Sequence, residues 1–170
     1  MDITAYHTQQ VKTFARNLGF DYCGIAEAKR LDDDARRLEQ WLSKGYHGSM
    51  AYMENHFELR VDPTKLVPGA KSVITLLLNY YPAQQQKPGA PKVSKYAYGK
   101  DYHEVIRKKL NLFLSLIKEH IGEVQGRGFA DSAPVLERSW AQRSGLGWIG
   151  KNGNLLTRQQ GSFFFIATLI

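Results

Sequence analysis

SVITLLL, residues 72–78, is apolar and uncharged from end to end, with Val67-Pro68-Gly69-Ala70 before it and Asn79-Tyr80-Tyr81-Pro82 after it. Continuous rather than alternating hydrophobicity predicts a strand covered on both faces. The flanking sequence supplies the covers. Residues 3–18 carry Val11, Phe14, Ala15 and Leu18 at helical spacing and stop at Gly19, and FDYCGIAEA (20–28) follows as a strand. From about Leu31 a second helix presents Ala35, Leu38, Trp41 and Leu42, with Asp32, Asp33, Arg36, Arg37 and Glu39 on a solvated face. Beyond the central run, AQQQKPGAPK (83–92) reads as a surface loop. The longest helix spans 101–121: Asp101 and Glu104 form a capping-box-like pair, Ile106, Leu110, Phe113, Leu114 and Ile117 its apolar stripe, and Gly122 its stop. GSFFFIATLI (161–170) is a second buried strand. The order predicts one α/β domain, residues 1–170, with a mixed sheet of four or five strands and helices packed around it.

Composition narrows the function. Twenty-three Lys and Arg against sixteen Asp and Glu leave a net charge of +7, which suits an anionic partner such as nucleic acid and equally suits plain solubility. Arg107, Lys108 and Lys109 are placed on the outer side of the long helix, as solubilising charge or as the edge of a phosphate-facing patch. The polar opening MDITAYHTQQ and the lack of any membrane-length apolar run predict no secretory signal, no membrane span and a cytoplasmic location. Cys23 is the only cysteine, which excludes an internal disulfide and any cysteine-built metal or iron–sulfur site within these residues. It is expected to be a buried structural thiol. The five histidines show no metal-ligand spacing, so no metal site is expected, and no G-x-S-x-G elbow supports a serine hydrolase.

Function concentrates in residues 126–154, GRGFADSAPVLERSWAQRSGLGWIGKNGN. Phe129 and Ala130 end a short strand, and Ser132-Ala133-Pro134 reads as a helix start, which sets Asp131 at the handover. Leu136 and Trp140 face a core, while Glu137, Arg138, Gln142 and Arg143 take the other sides; Gly145 ends the helix. Residues 145–150 satisfy G-x-G-x-x-G as a string, yet a dinucleotide site needs a strand leading in and a helix leading out. Here a helix leads in. Residues 145–152 nearly spell a phosphate loop, but Asn152 stands where a hydroxyl must hold magnesium. Two readings stay open: a sharp turn around Trp148 and Ile149, or a loop whose amides, Lys151, Asn152 and Asn154 approach a bulky ligand. Met50, Tyr52, Met53, His56 and Phe57 are likewise either plain core or one wall for a flat ligand.

Four stretches carry a family likeness. GYHGSMAYMENH, RVDPTKLVPGAKSVITLLLNYYP, KYAYGKDYHEVIRKKL and DSAPVLERSWAQRSGLGWIGKNGNLL resemble successive motifs of the epoxyqueuosine reductases, in order and across nearly the whole chain. The resemblance implies a cobalamin-dependent oxidoreductase carrying two four-iron four-sulfur clusters, which reduces the epoxide of epoxyqueuosine in the tRNA anticodon to queuosine. It implies a tRNA partner, with neither DNA nor membrane. By the same likeness Asp131 is the proton donor beside the cobalamin, and Tyr96, Tyr98, Lys151, Asn152 and Asn154 are cofactor-binding. The family's ferredoxin-like module has no counterpart in these residues, and Ile166-Ala167-Thr168 stand where the family usually has a glycine and an acidic residue. These features are expected of a cobalamin-binding N-terminal part whose natural continuation is missing. The alternative is a non-catalytic module binding a corrin, a flavin or RNA.

Overall fold

The computed structural model describes residues 2–170. Strands β1 (Tyr22–Glu27), β2 (Ser72–Asn79), β3 (Gly128–Phe129) and β6 (Phe164–Leu169) make one four-stranded sheet in the order β1-β2-β6-β3. A ribbon of β4 (Trp148–Ile149) and β5 (Leu155–Leu156) stands beside it. The helices are α1 (Ile3–Asn17), α2 (Asp32–Ser43), α3 (Phe57–Val61), α4 (Pro63–Leu66), α5 (Tyr102–His120) and α6 (Glu137–Arg143). The α/β domain and its strand count are as the sequence predicts, and all three pairings of the main sheet are antiparallel. Helices lying between strands in sequence do not enforce parallel crossovers, since the long excursion between β1 and β2 returns the chain in the opposite sense.

Side-chain alternation assigns the two faces. Leu76, Ala167 and Leu169 pack with Val11 and Ala15 of α1 and with Ile106, Leu110, Phe113 and Ile117 of α5. Val73 and Leu77 turn the other way, toward Trp140 and Ala141 of α6. The central strand is thus covered on both faces, as its unbroken apolar run requires. Under α6 the sheet presents small side chains in one row, Gly24 opposite Thr75 and Thr75 opposite Thr168. A Cβ on Gly24 would stand 2.7 Å from the Ser144 carbonyl oxygen and 2.8 Å from Leu146 Cγ, so glycine lets the end of α6 rest on the sheet.

Two local expectations change. The helix predicted to begin at Ser132-Ala133-Pro134 begins at Glu137 instead; the chain makes a turn first, with the Val135 N–H bonded to the Ala133 carbonyl. Proline permits a helix start without forcing one, and here Val135 leaves the helical path to bury its side chain beside Trp140. Lys109 is not on the outer side of α5: its ammonium donates to the Leu18 carbonyl, capping the end of α1.

Candidate functional site

Asp131 lies in the turn between β3 and α6, at the end of the sheet where α5 begins. Its φ of 53° is left-handed, and among the described residues only His56 shares that region without being glycine. Such a backbone costs roughly 1–2 kcal/mol. Asp131 is not a helix cap, because α6 has Leu136 at its N-cap and no side-chain cap bond. Its carboxylate instead accepts from the hydroxyl of Tyr102, the first residue of α5. The Tyr102 ring stacks on Phe165 of β6 with centroids 4.0 Å apart and planes 6° from parallel, and Phe165 meets Tyr80 at 4.7 Å. Three elements therefore aim one hydroxyl. Burial, reinforced by the Asp131 hydrogen bond, holds the Tyr102 phenol proton well above its usual range, so Tyr102 is the donor in the pair.

Asp131, Glu137 and Arg138 form a wall shared by two cavities. One, of about 320 Å³, runs to Tyr80, Phe165 and Asn154. The other, of about 490 Å³, runs to Tyr52, Met53, Arg60 and Ile149. Arg138 donates to the Gly153 carbonyl and so ties α6 to the ribbon turn. Glu137 is half-buried, and burial pushes its carboxyl up to about 7; Asp131's charge adds to the rise, while the backbone N–H groups of Glu137 and Asp131 and the charge of Arg138 oppose it. Its Oε1 is fully buried without a hydrogen-bond partner. A site with a positioned carboxylate, a raised carboxyl and an anchored arginine can hold a polar ligand edge and deliver a proton to it.

The structure unites some of the residues predicted from sequence and separates others. Asn154 shares the smaller cavity with Asp131. Asn152 accepts the Asn154 N–H at 3.1 Å within the ribbon turn, and Lys151 beside it is exposed. Tyr96 lies in a single 3-10 turn (Lys95–Ala97) with an exposed ring, and Tyr98 lines a separate cleft of about 290 Å³ with Pro82 and Lys95. Gly147 and Gly150 serve their own ribbon: a Cβ on either would run into Leu156, so their bareness permits strand pairing. Trp148 and Ile149 are paired strand residues rather than the centre of a turn. The aromatic run of residues 50–57 is not plain core, since Met50 and Tyr52 are exposed and Tyr52 and Met53 wall the larger cavity. Cys23 is half-buried, and burial pushes its thiol up to about 12, away from the thiolate a nucleophile needs. Among the described residues no group of three or more His, Cys, Asp or Glu could hold a metal ion, and no helix is long and apolar enough to cross a membrane.

Sequence reading missed Tyr102, Glu137 and Arg138 as members of this site. Tyr102 lies in the family-like stretch KYAYGKDYHEVIRKKL but is distant from Asp131 in the chain, and nothing in its spacing assigns it to the site. Glu137 and Arg138 read as outward helix positions because the helix was placed too early.

Comparison with known proteins finds similarity in sequence and in fold. The family described as "Epoxyqueuosine reductase QueG, DUF1730" matches residues 60–132. An epoxyqueuosine reductase of Cyclobacterium marinum is 61% identical over 166 residues, which are 96% of this chain and 54% of that protein. The Escherichia coli epoxyqueuosine reductase is 40% identical over 168 residues, 95% of this chain and 44% of that one. The chain thus spans about half the length of the curated relatives it matches. A crystal structure of epoxyqueuosine reductase with an epoxyqueuosine-modified tRNA-Tyr stem loop superposes with a TM-score of 0.84 at 28% identity, covering 99% of this chain and 45% of that one. The Bacillus subtilis enzyme, solved with its catalytic aspartate loop swung out of the active site, gives 0.80 at 28% identity, over 99% of this chain and 45% of that one. In sequence and in fold alike, this chain is similar to about half the length of the epoxyqueuosine reductases.

Proposed function

We propose that this chain is the cobalamin-binding part of an enzyme that reduces the epoxide of epoxyqueuosine in a tRNA anticodon to queuosine, with Asp131 as the proton donor. The observation that carries the reading is the Asp131 carboxyl, held by Tyr102 at the meeting of two cavities in a left-handed turn that no packing requirement explains. Strained backbone at a site between cavities is a feature of function rather than of stability. The relatives that match are named as reductases, so a non-catalytic module is not favoured. The solved relative with a tRNA stem loop supports tRNA as the partner, and the chain's net charge of +7 suits a polyanion. A tRNA substrate implies a cytoplasmic location.

The residues present fit a corrin. Tyr52, Met53 and Ile149 offer an apolar wall for a flat macrocycle, and Arg60, Arg138 and Asn154 offer donors and acceptors to its amide-bearing rim. Lys151 and Asn152 of the ribbon turn, and Tyr96 and Tyr98 of the loop before α5, are assigned to the cofactor by the family resemblance, Tyr98 lining a separate cleft. Cobalamin, when bound, supplies the reducing electrons. Of the two protons that leave with the epoxide oxygen as water, this chain supplies the first: Asp131, in its protonated form, gives it to the oxygen as the C–O bond opens, while its other carboxyl oxygen accepts from Tyr102, which holds it in line. Iron–sulfur clusters do not fit these residues, because Cys23 is the only thiol.

Calorimetric titration of the chain with hydroxocobalamin tests the cofactor assignment, and one-to-one binding at micromolar or tighter affinity is the expected result. Joined to the cluster-bearing half of a full-length relative, Asp131→Asn should keep that affinity while epoxide reduction on a modified stem loop falls by roughly a hundredfold. Reduction at the parent rate would remove Asp131 from the chemistry.

A further inference from the structure

Tyr81 and Phe163 leave aromatic faces in water on a frame that is firmly tied. Tyr81 is 48% exposed and Phe163 36%, and their rings meet edge to face with centroids 4.9 Å apart. Beneath them the Tyr81 N–H donates to Asn79 Oδ1 at 2.7 Å, and the Tyr80 N–H to the Phe163 carbonyl at 2.9 Å. The Lys95 ammonium stands 3.8 Å from the Tyr81 ring centroid and 5.3 Å from that of Phe163. Lys95 also shares with Lys92 the cleft of about 290 Å³ beside Pro82. Gln86 closes the loop around that cleft, donating to the Pro91 carbonyl at 3.1 Å and accepting the Val93 N–H at 3.4 Å. Residues 80–100 hold four lysines and no acidic residue to neutralise them. Aromatic faces in water beside uncompensated lysines add nothing to the core, and a clustered apolar patch of this kind marks an interaction site.

We propose that Tyr81, Phe163 and Lys95 form a docking surface for single-stranded RNA, on which an unpaired base beside the reacting nucleotide stacks while Lys92 and Lys95 take the adjoining phosphates. The inference rests on the tRNA partner given under the proposed function and adds where that RNA lies on this chain. The patch is continuous with the candidate site: Phe163 meets Tyr80 at 5.8 Å, Tyr80 meets Phe165 at 4.7 Å, and Phe165 stacks on Tyr102, whose hydroxyl donates to Asp131. A strand with one nucleotide at Asp131 therefore has its neighbours directed onto these rings. Stacking takes any base, because every base has a π face, and it selects loop nucleotides over paired ones, whose faces are already covered. Charge favours RNA over a protein partner here, since the cores of protein interfaces are depleted of lysine and this patch has one standing over its rings.

Fluorescence anisotropy with a labelled, unmodified tRNA-Tyr anticodon stem loop tests this without cofactor or epoxide. The parent chain should bind the stem loop roughly tenfold or more tightly than a blunt RNA duplex of equal length. Tyr81→Leu, which keeps apolar bulk without a flat face, should lose roughly fivefold or more of that affinity, while Tyr81→Phe should stay within about twofold of the parent. Lys95→Ala should weaken binding and flatten the dependence of log affinity on log salt by roughly 0.7–1. Thermal unfolding of each variant at the parent temperature separates a lost contact from a lost fold, and the exposed Lys95 gives a reading even where a ring substitution unfolds the chain. Equal affinity for stem loop and duplex, parent-like affinity in Tyr81→Leu, or no binding of either RNA overturns the proposal. So does a Tyr81→Leu chain that binds RNA as the parent does but associates more weakly with the cluster-bearing half of a relative, which makes the patch a protein seat. The proposed function is read separately, by hydroxocobalamin titration and epoxide reduction, and its failure leaves the affinity for unmodified RNA to decide this surface.

Discussion

Replacing Glu137 by glutamine should stabilise the protein several times more at pH 8 than at pH 5. Burial raises the carboxyl from an ordinary 4.5 to about 7, so the folded protein binds a proton that the unfolded chain has already released between those values. Stability linked to this proton is fully present below about pH 4.5 and is lost as pH rises through about 7. At about 1.4 kcal/mol for each pKa unit, the parent at pH 8 carries a cost of about 3 kcal/mol that glutamine, neutral at every pH, does not. Urea unfolding of both proteins at pH 5 and pH 8 measures the difference. With a urea slope of about 1–3 kcal/mol/M, the glutamine variant's midpoint should lie roughly 1–3 M higher at pH 8 and only about 0.3–0.8 M higher at pH 5. Any pH-independent effect of the substitution appears at both values, and the histidines that change charge in this range are common to both proteins and cancel. Equal midpoint differences at the two pH values, or a larger gain at pH 5, would refute the assignment of a proton to buried Glu137.

Three further outcomes follow from the geometry. Gly24→Ala should destabilise the domain by about 1–3 kcal/mol in the same urea assay, because the new methyl meets the Ser144 carbonyl and Leu146 under α6. Cys23, half-buried and with its thiol pushed up to about 12, should react with a disulfide reagent at pH 8 far more slowly folded than unfolded, so labelling rates with and without denaturant should differ by at least a hundredfold. ATP and NAD should show no calorimetric binding at micromolar concentration, since Gly147 and Gly150 are bare to admit Leu156 rather than a phosphate.

How far the sequence could be read depended on which residues act locally. Residues 72–78 announced a strand covered on both faces because that burial is written in every position of the run, and the stripes of α1 and α5 were legible for the same reason. The turn at 130–136 was not, because proline and serine describe what a helix start tolerates, while the burial of Val135 against Trp140 decided where α6 begins. Asp131 could be singled out by its place after a strand. Its partner Tyr102 and the left-handed backbone come from tertiary contact, and no spacing rule reaches from α5 to that turn. The exposed Met50 and Tyr52 show the same limit, since composition records that a residue is apolar and not whether the chain has a neighbour to cover it.

The position of β6 has a consequence for how this domain is made. It follows the other strands of its sheet in sequence and lies third in the order, between β2 and β3, with Ile74 paired to Leu169. Until residues 164–169 arrive, β3 has no strand to join and one edge of β2 stays open. A ribosome-bound chain therefore holds an unfinished sheet until residues 164–169 have left the exit tunnel, with one edge of β2 open to unwanted pairing throughout that interval. Pairing at such long range also predicts folding in the slower part of the single-domain range, set by the search for β6 rather than by the formation of any helix.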